Sequence, residues 1–210
     1  MSGRIAFQGE LGAYSHQACA QARPDFTPVP CQTFEDVVEM TRSGAVDLGM
    51  LAVENSTYGR VADVHRLLPQ SGLHIIDEAF VRVHINLLAV KGTKLDQVKR
   101  VRCMSILLGQ CGTFLKDHNL ATLNWTDNAA AARDVAALND PAEAALASEL
   151  AGEIYGLDVL ARQIEDLADR GDIHQEVALL LVLGKQGGMD QLRRATELVG
   201  QLRRQVVDVG

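Results

Sequence analysis

The chain has 210 residues, of which 47% are hydrophobic and 22% are charged, and its formal net charge is −7. This length and composition fit one large domain or two small lobes with a proper core, and they argue against wholesale disorder. The acidic balance, with no basic block, argues against nucleic acid and anionic membranes as partners.

The start of the chain shows no apolar leader, and no segment approaches the ~18 apolar residues that span a bilayer. We therefore expect a cytoplasmic protein with no membrane partner. The four cysteines are scattered and form no CxxC pair: Cys19, Cys31, Cys103 and Cys111. In a chain of this length without an export signal, we expect reduced structural thiols, and we expect no metal site.

The first half of the chain alternates apolar runs with helical patterns. Ile5–Phe7 predicts a strand, a glycine turn follows, and a helical pattern runs through Ala22. Thr33 and Asp36 predict a capping box that opens a helix closed by Gly44. A buried strand, a helix, and one or two further strands are then predicted over Leu48–Val53, Val61–Leu68 and Leu73–Val90.

The second half repeats this alternation, which predicts a parallel or mixed α/β architecture. Helices are predicted over Lys94–Val98, Leu107–His118, Ala129–Leu138, before Gly156, and over the amphipathic stretch Asp190–Val207. Strands are predicted over Leu120–Trp125, Leu157–Ala161 and Leu179–Leu183. The local pattern at Asp140–Glu143 resembles a helix start with proline at the first position.

Two stretches carry functional signals of their own. The run Gly9-x-x-Gly12-x-Tyr14-Ser15 follows a strand, and such a turn points backbone N–H groups at an anion. Glycine turns after strands are also common in purely structural roles.

The second stretch is Val53-Glu54-Asn55-Ser56-Thr57-Tyr58-Gly59, in which four polar side chains directly follow a buried strand. Ligands of α/β sheets bind at the carboxyl ends of strands, and Asn55 and Ser56 supply neutral donors for carboxylate oxygens. A simple capped turn is the alternative. Gln110, in an apolar helical pattern, says little by itself.

Together these stretches resemble the prephenate dehydratase family. FQGELGAYS resembles its amino-terminal glycine loop, and AVENSTYGRVADVHRLLPQSGLHIIDEAFVRVHINLLAV resembles its central region. LLGQC resembles the end of its serine-histidine…glutamine-cysteine segment, and AALASELAGEIYGLDVLARQIED resembles its carboxy-terminal lobe return. The resemblance covers about residues 4–166, and the order of the motifs is far more specific than any one of them.

The resemblance implies an α/β fold of two lobes with a cleft between them, like a type II periplasmic binding protein. The dehydratase-like domain would cover residues 4–183, with one lobe at about 4–80 plus 162–183, the other at about 81–161, and an amphipathic tail at 184–210. The resemblance also predicts that Ala144–Ala147 forms a short buried strand and that Ser148 caps the next helix. Because few residues follow Leu183, we expect no regulatory domain of the kind that often follows in the family.

The activity implied by the resemblance is a lyase reaction without cofactor or metal, which converts dianionic prephenate to phenylpyruvate in L-phenylalanine biosynthesis. The protein would be a homodimer, and the resemblance fits prephenate and arogenate equally. The implied substrate-binding residues are Asn55, Ser56, Gln110, Gly12, Tyr14, Ser15 and Asn128, the last standing where the family has a threonine. Asn55, Ser56 and Gln110 are expected to converge on one pocket between the lobes.

Two departures from the family bear on catalysis. The serine-histidine pair falls on Cys103 and Met104, or the serine alone falls on Ser105 after a two-residue deletion, so the histidine is missing either way. The family's Thr-Arg-Phe, with its catalytic threonine, falls on Ala178, Leu179 and Leu180. The catalytic residue is therefore unassigned, with Gln110, Ser105 and a loop histidine, His174, as candidates.

Three functions fit this pattern. The first, which we favour, is a prephenate dehydratase of impaired activity, and the second is a related prephenate decarboxylase that retains the hydroxyl. The third is a ligand-binding pseudoenzyme. If the first is right, introducing Ala178→Thr and Leu179→Arg together is expected to raise the rate of dehydration.

Overall fold

The computed structural model describes residues 3–56, 59–166 and 176–183. The chain divides into two compact units. The first holds the chain up to Gln8, Ala18–Val81 and the chain from Val177, and the second holds Gly9–Gln17 and Arg82–Glu176. Among the described residues, no helix is long and apolar enough to cross a membrane. The helix predicted over Asp190–Val207 lies outside the described residues.

In chain order, the strands are β1 (Arg4–Gln8), β2 (Thr27–Cys31), β3 (Leu48–Asn55), β4 (Gly59–Arg60), β5 (His74–Arg82), β6 (Asn86–Ala89), β7 (Arg100–Cys103), β8 (Ala121–Asn124), β9 (Glu143–Ala147), β10 (Asp158–Ala161) and β11 (Glu176–Leu183). The α-helices are α1 (Tyr14–Ala22), α2 (Phe34–Ser43), α3 (Ala62–Ser71), α4 (Ser105–Leu108), α5 (Gly112–Asp117), α6 (Asn128–Leu138) and α7 (Glu149–Tyr155), and Leu95–Gln97 forms a short 3₁₀ helix. The α/β fold class is confirmed, and each unit is built on one mixed sheet.

The sheet of the first unit has the order β2-β1-β3-β11-β5, with β4 beside β3. Strands β1, β2 and β3 run parallel, and β11 runs antiparallel to β3. The carboxyl ends of the parallel strands and the amino end of β11 therefore share one edge of this sheet. The predicted capping box of α2 is confirmed, because Thr33 Oγ1 accepts from the N–H of Asp36 and Asp36 accepts from the N–H of Thr33.

The sheet of the second unit has the order β10-β6-β9-β7-β8. Strand β7 runs parallel to β8 and β9, whereas β6 runs antiparallel to β9. The carboxyl ends of β7, β8 and β9 thus share an edge with the amino end of β6. Helix α6 packs on this sheet through small side chains, and Ala131 and Ala132 are buried against Ala145 and Ala147. The alanines that favour a helix here also let it approach the strands closely.

Strand β7 was missed by the sequence patterns because its first and third residues are arginines. Glu143, only 1% exposed, offsets both charges: Arg100 pairs with its Oε1, and Arg102 Nε lies 2.9 Å from its Oε2. The Arg102 guanidinium also stacks 4.6 Å from the centre of the Trp125 ring. A buried carboxylate thus allows arginines in a central strand.

The single helix predicted over Leu107–His118 is wrong. Two short helices, α4 and α5, replace it, and Cys111 between them leaves helical geometry with ψ of 20°. The local helix start at Asp140–Glu143 is also wrong, because Glu143–Ala147 is strand β9, as the family resemblance implied. Ser148 caps α7 by accepting from the N–H of Ala151 at 3.1 Å.

The four cysteines are free and buried. Burial raises the pKa of the Cys103 thiol to about 11 and that of the Cys19 thiol to about 12. We expect a thiol reagent at neutral pH to count four groups in denaturant and to react slowly with the native protein. A denatured count of two or fewer, in freshly reduced protein kept from air, would contradict the expected free thiols.

Candidate functional site

Asn55 and Ser56 lie at the carboxyl end of β3 in the first unit, as predicted. Asn55 is half-buried and Ser56 is exposed in the turn that follows. Strand β11 begins beside them, since Val177 pairs with Asn55 and Ala178 pairs with Glu54. Ala178, onto which the resemblance places the family threonine, therefore lies close to Asn55 along the strand pair, but its methyl group offers no proton.

Leu179, where the resemblance predicts the family arginine, points into the core. Its exposed fraction is 0%, and the register of β11 against β3 shifts between Ala178 and Leu179. An arginine at this position would place its charge among apolar side chains. The burial of Leu179 therefore argues against a gain from Leu179→Arg, whereas Ala178→Thr restores a donor at the edge of the sheet.

The glycine turn before α1 belongs to the second unit and packs on α7. Gly12 has a φ of +95°, and a Cβ there would lie 2.7 Å from Cα of Ala151. Its carbonyl accepts from the hydroxyl of Ser148, and the carbonyl of Leu11 accepts from Tyr155. These contacts explain why residues 9–17 group with the second unit rather than with the predicted first lobe.

The N–H of Gly12 is engaged inside the turn. It donates to His16 Nδ1 at 2.9 Å, and burial lowers the pKa of His16, which keeps this imidazole neutral and able to accept. This N–H is therefore used within the turn and not for an anion, which supports a structural role for Gly12.

This geometry predicts a pH dependence of stability. Because the pKa of His16 is depressed in the folded protein, the contribution of His16 to the free energy of unfolding is complete above about pH 6.5, the ordinary histidine pKa. It declines as the pH falls through that value towards the pKa of the folded state. We expect the free energy of unfolding to fall over this range, and to fall less in His16→Gln, whose amide oxygen can still accept from Gly12. The free energy of unfolding can be measured by urea unfolding at each pH. An equal fall with pH in both proteins would contradict this role.

Tyr14 and Ser15, at the start of α1, are half-buried. The Tyr14 hydroxyl donates to the carbonyl of His84 at 3.0 Å. Burial, followed by the negative charge of Glu165 and by Cys111, raises the pKa of Tyr14, so that its phenol stays neutral. Tyr14 thus ties the glycine turn to the amino end of β6.

Gln110 lies in the connection between α4 and α5. Its N–H donates to the carbonyl of Leu107 at 3.1 Å, and its own carbonyl accepts from the N–H of Asp166. The Asp166 carboxylate also accepts from the N–H of Thr113, near the start of α5, at 3.2 Å. Asp166 therefore fixes the backbone on both sides of Cys111.

Ser105 and Asn128 lie at neighbouring points of the second sheet's edge. Ser105 is the exposed first residue of α4, directly after β7 and Met104. Asn128 begins α6 after β8, and its Oδ1 accepts from the N–H of Met104 at 2.9 Å. Asn128 thus holds the segment that carries Ser105.

The predicted site residues fall into two groups. Asn55, Ser56 and Ala178 belong to the first unit, and Gly12, Tyr14, Ser15, Ser105, Gln110 and Asn128 belong to the second. The expected convergence of Asn55 and Ser56 with Gln110 stays a prediction. His174 lies outside the described residues, among which no cluster of histidine, cysteine and carboxylate side chains suits a metal ion.

A family model, prephenate dehydratase, matches residues 5–170 of the chain. The chain belongs to the prephenate dehydratase family. It is 42% identical over 162 residues to a bifunctional N-acyl-homoserine lactone acylase/prephenate dehydratase of Komagataeibacter europaeus, a match that covers 77% of this chain and 58% of that protein. It is 37% identical to arogenate dehydratase/prephenate dehydratase 2 of Arabidopsis thaliana, over 79% of this chain and 44% of that protein. The chain spans about half the length of the curated relatives it matches.

Solved structures agree with this membership. A quorum quenching acylase, GqqA, superposes with a TM-score of 0.79 at 37% identity, covering 87% of this chain and 64% of the other. Prephenate dehydratase from Arthrobacter aurescens, in complex with L-Phe, superposes with a TM-score of 0.76 at 28% identity, covering 88% and 61%. The predicted family is thus confirmed by sequence and by fold.

Within this prephenate dehydratase domain, sequence reasoning assigned no role to His16, His84, Glu165 or Asp166. Glu165 and Asp166 stood in a string that resembles the family, but nothing in that string reveals their partners. Glu165 contacts His84 and Ile85, about eighty positions earlier in the chain. Only the folded chain brings these groups together.

Proposed function

We propose that this chain is a prephenate dehydratase, which releases carbon dioxide and water from prephenate and forms phenylpyruvate for L-phenylalanine synthesis. The observation that carries the proposal is the Asn55-Ser56 turn, placed at the carboxyl end of a central parallel strand in a member of this family. Formation of the aromatic ring drives the reaction, so the chain needs no cofactor.

The substrate carries two carboxylates, and this acidic chain must bind them through local donors. Asn55 and Ser56 in the first unit and Gln110 in the second are the proposed donors, and Tyr14, Ser15 and Asn128 assist. Neutral amides and hydroxyls hold a dianion without the ion pairing that a guanidinium would supply.

We further propose that the protein acts as a homodimer.

Steady-state formation of phenylpyruvate, followed by the absorbance of its enolate in base, tests this function. We expect measurable turnover in the natural chain and a KM raised about tenfold in Asn55→Ala and in Gln110→Ala, because each loses a hydrogen bond to a charged group. Gln21→Ala, on the exposed face of α1, is the matched control and should leave both constants unchanged. Turnover that none of the site variants affects would contradict the proposed donors.

A second candidate function follows from Ala178, which places a methyl group where the family has a proton-donating hydroxyl. A decarboxylase that retains the substrate hydroxyl needs no donor to that oxygen. Such an enzyme consumes prephenate and yields a non-aromatic keto acid, which gives no enolate signal. A pseudoenzyme would bind prephenate in calorimetry and leave it unchanged.

A further inference from the structure

His84 and Glu165 form a histidine–carboxylate pair in the second unit. His84 Nδ1 lies 3.4 Å from Glu165 Oε1, and the other oxygen, Oε2, accepts from the N–H of Ile85 at 3.0 Å. The carboxylate is therefore held in place by the backbone at the amino end of β6. The His84 side chain is 37% exposed and that of Glu165 is 22% exposed, so the imidazole can meet a ligand.

This pair lies among the residues already proposed to bind the substrate. Tyr14 donates to the carbonyl of His84 itself, and Asp166, next to Glu165, accepts from Thr113 and donates to the carbonyl of Gln110. The titratable groups around the pair are Tyr14 from α1, Cys111 from the α4–α5 connection, and Asp166. After burial, the charge of Glu165 is the largest cause that raises the pKa of both Tyr14 and Cys111, which reflects how near all of these groups lie.

We propose that His84, oriented by Glu165, is the catalytic acid that protonates the departing hydroxide, in place of the family threonine that is Ala178 here. This inference rests on the proposed dehydratase function. The bond between the ring and its carboxylate breaks and carbon dioxide leaves. The electron pair of the broken bond stays with the ring and completes the aromatic system. The carbon–hydroxyl bond breaks with its electrons on oxygen, and the Nε2 proton of the His84 imidazolium converts that oxygen to water. The neutral imidazole then regains a proton from solvent.

The carboxylate of Glu165 has a defined part in this step. Accepting from Nδ1–H, it fixes the ring orientation and stabilises the imidazolium form that donates from Nε2. The separation of 3.4 Å is long for a charged hydrogen bond, as is common before substrate binds. His84 is a better candidate than a loop histidine because its partner is supplied by the fold.

The test compares three variants of the full chain in the phenylpyruvate assay. We expect His84→Gln to lower kcat by ~10²-fold or more with little change in KM, since a positioned general acid contributes ~10²–10⁴-fold. We expect Glu165→Gln to lower kcat as well, by less than His84→Gln and with KM unchanged, because the imidazole loses the carboxylate that orients it. His74→Gln, at the exposed start of β5 in the first unit, is the matched control and should retain the natural kcat.

Several outcomes would overturn the proposal. A His84→Gln protein with the natural kcat would overturn it and leave the dehydratase function standing, whereas a natural chain that forms no phenylpyruvate would overturn both. If His84→Gln lacks the natural circular dichroism spectrum, Glu165→Gln decides, and a natural kcat in that variant excludes the pair. Equal loss of kcat in His74→Gln would also count against a role specific to His84.

Discussion

Replacing Leu179 with arginine should remove a large part of the protein's free energy of unfolding, although the resemblance to the family predicts an arginine at this position. Leu179 is fully buried in β11, beside Leu181 and Val182, which are also buried. An unpaired buried charge is destabilising by ~3–5 kcal/mol, which is comparable to the ~5–15 kcal/mol that stabilises a typical domain. Urea unfolding followed by circular dichroism measures the loss.

Two neighbouring substitutions make this test specific. Leu179→Met conserves volume and should cost less than ~1.5 kcal/mol. Ala178→Thr, at a half-buried strand position that a β-branched residue suits, should leave the free energy of unfolding nearly unchanged. Threonine there should also raise phenylpyruvate formation by adding a donor beside Asn55. A stable Leu179→Arg protein with raised turnover would show that the register of β11 is wrong.

Replacing Gly12 with alanine should cause the second large loss of stability. Its φ of +95° disfavours any side chain, and the added Cβ would lie 2.7 Å from the backbone of Ala151 in α7. Backbone strain of this kind costs ~1–3 kcal/mol, and overpacking adds ~1–3 kcal/mol. Because the same turn positions Tyr14, turnover should fall along with the midpoint of thermal unfolding.

Gly92 separates the two causes of this loss. It also has a positive φ, +80°, but open space surrounds the position that its Cβ would take. Gly92→Ala should therefore show the strain alone, with a smaller loss of stability and natural turnover. If Gly12→Ala and Gly92→Ala show equally small losses of stability, the close packing of the glycine turn on α7 is not important for the fold.

Local signals were enough to predict much of this fold. The capping box at Thr33, the glycine after α2 and the buried strand before Asn55 depend on residues close together in the chain, and all three are confirmed. The alternation of elements also predicted the α/β class. Asn55 and Ser56 were found because the carboxyl end of a strand is itself a local feature of the sequence.

Long-range pairs explain what was missed. Arg100 and Arg102 make β7 unlike a buried strand in sequence, and only the contact with Glu143 explains how both charges are neutralised. The alanines of β9 favour a helix locally, and its neighbours in the sheet override that preference. His84 and Glu165 belong to the same class. Neither residue differs from an ordinary polar residue in its local sequence. Their proposed chemistry depends on the contact between His84 and Glu165, which only the fold creates.

Mass spectrometry of the products that the purified chain forms from prephenate tests the central claim most directly. The dehydratase function predicts phenylpyruvate, from which both the ring carboxylate and the hydroxyl have been lost, in an amount that grows with time and with protein concentration. A keto acid that retains the hydroxyl, or prephenate recovered unchanged beyond its spontaneous decay in buffer, would contradict it.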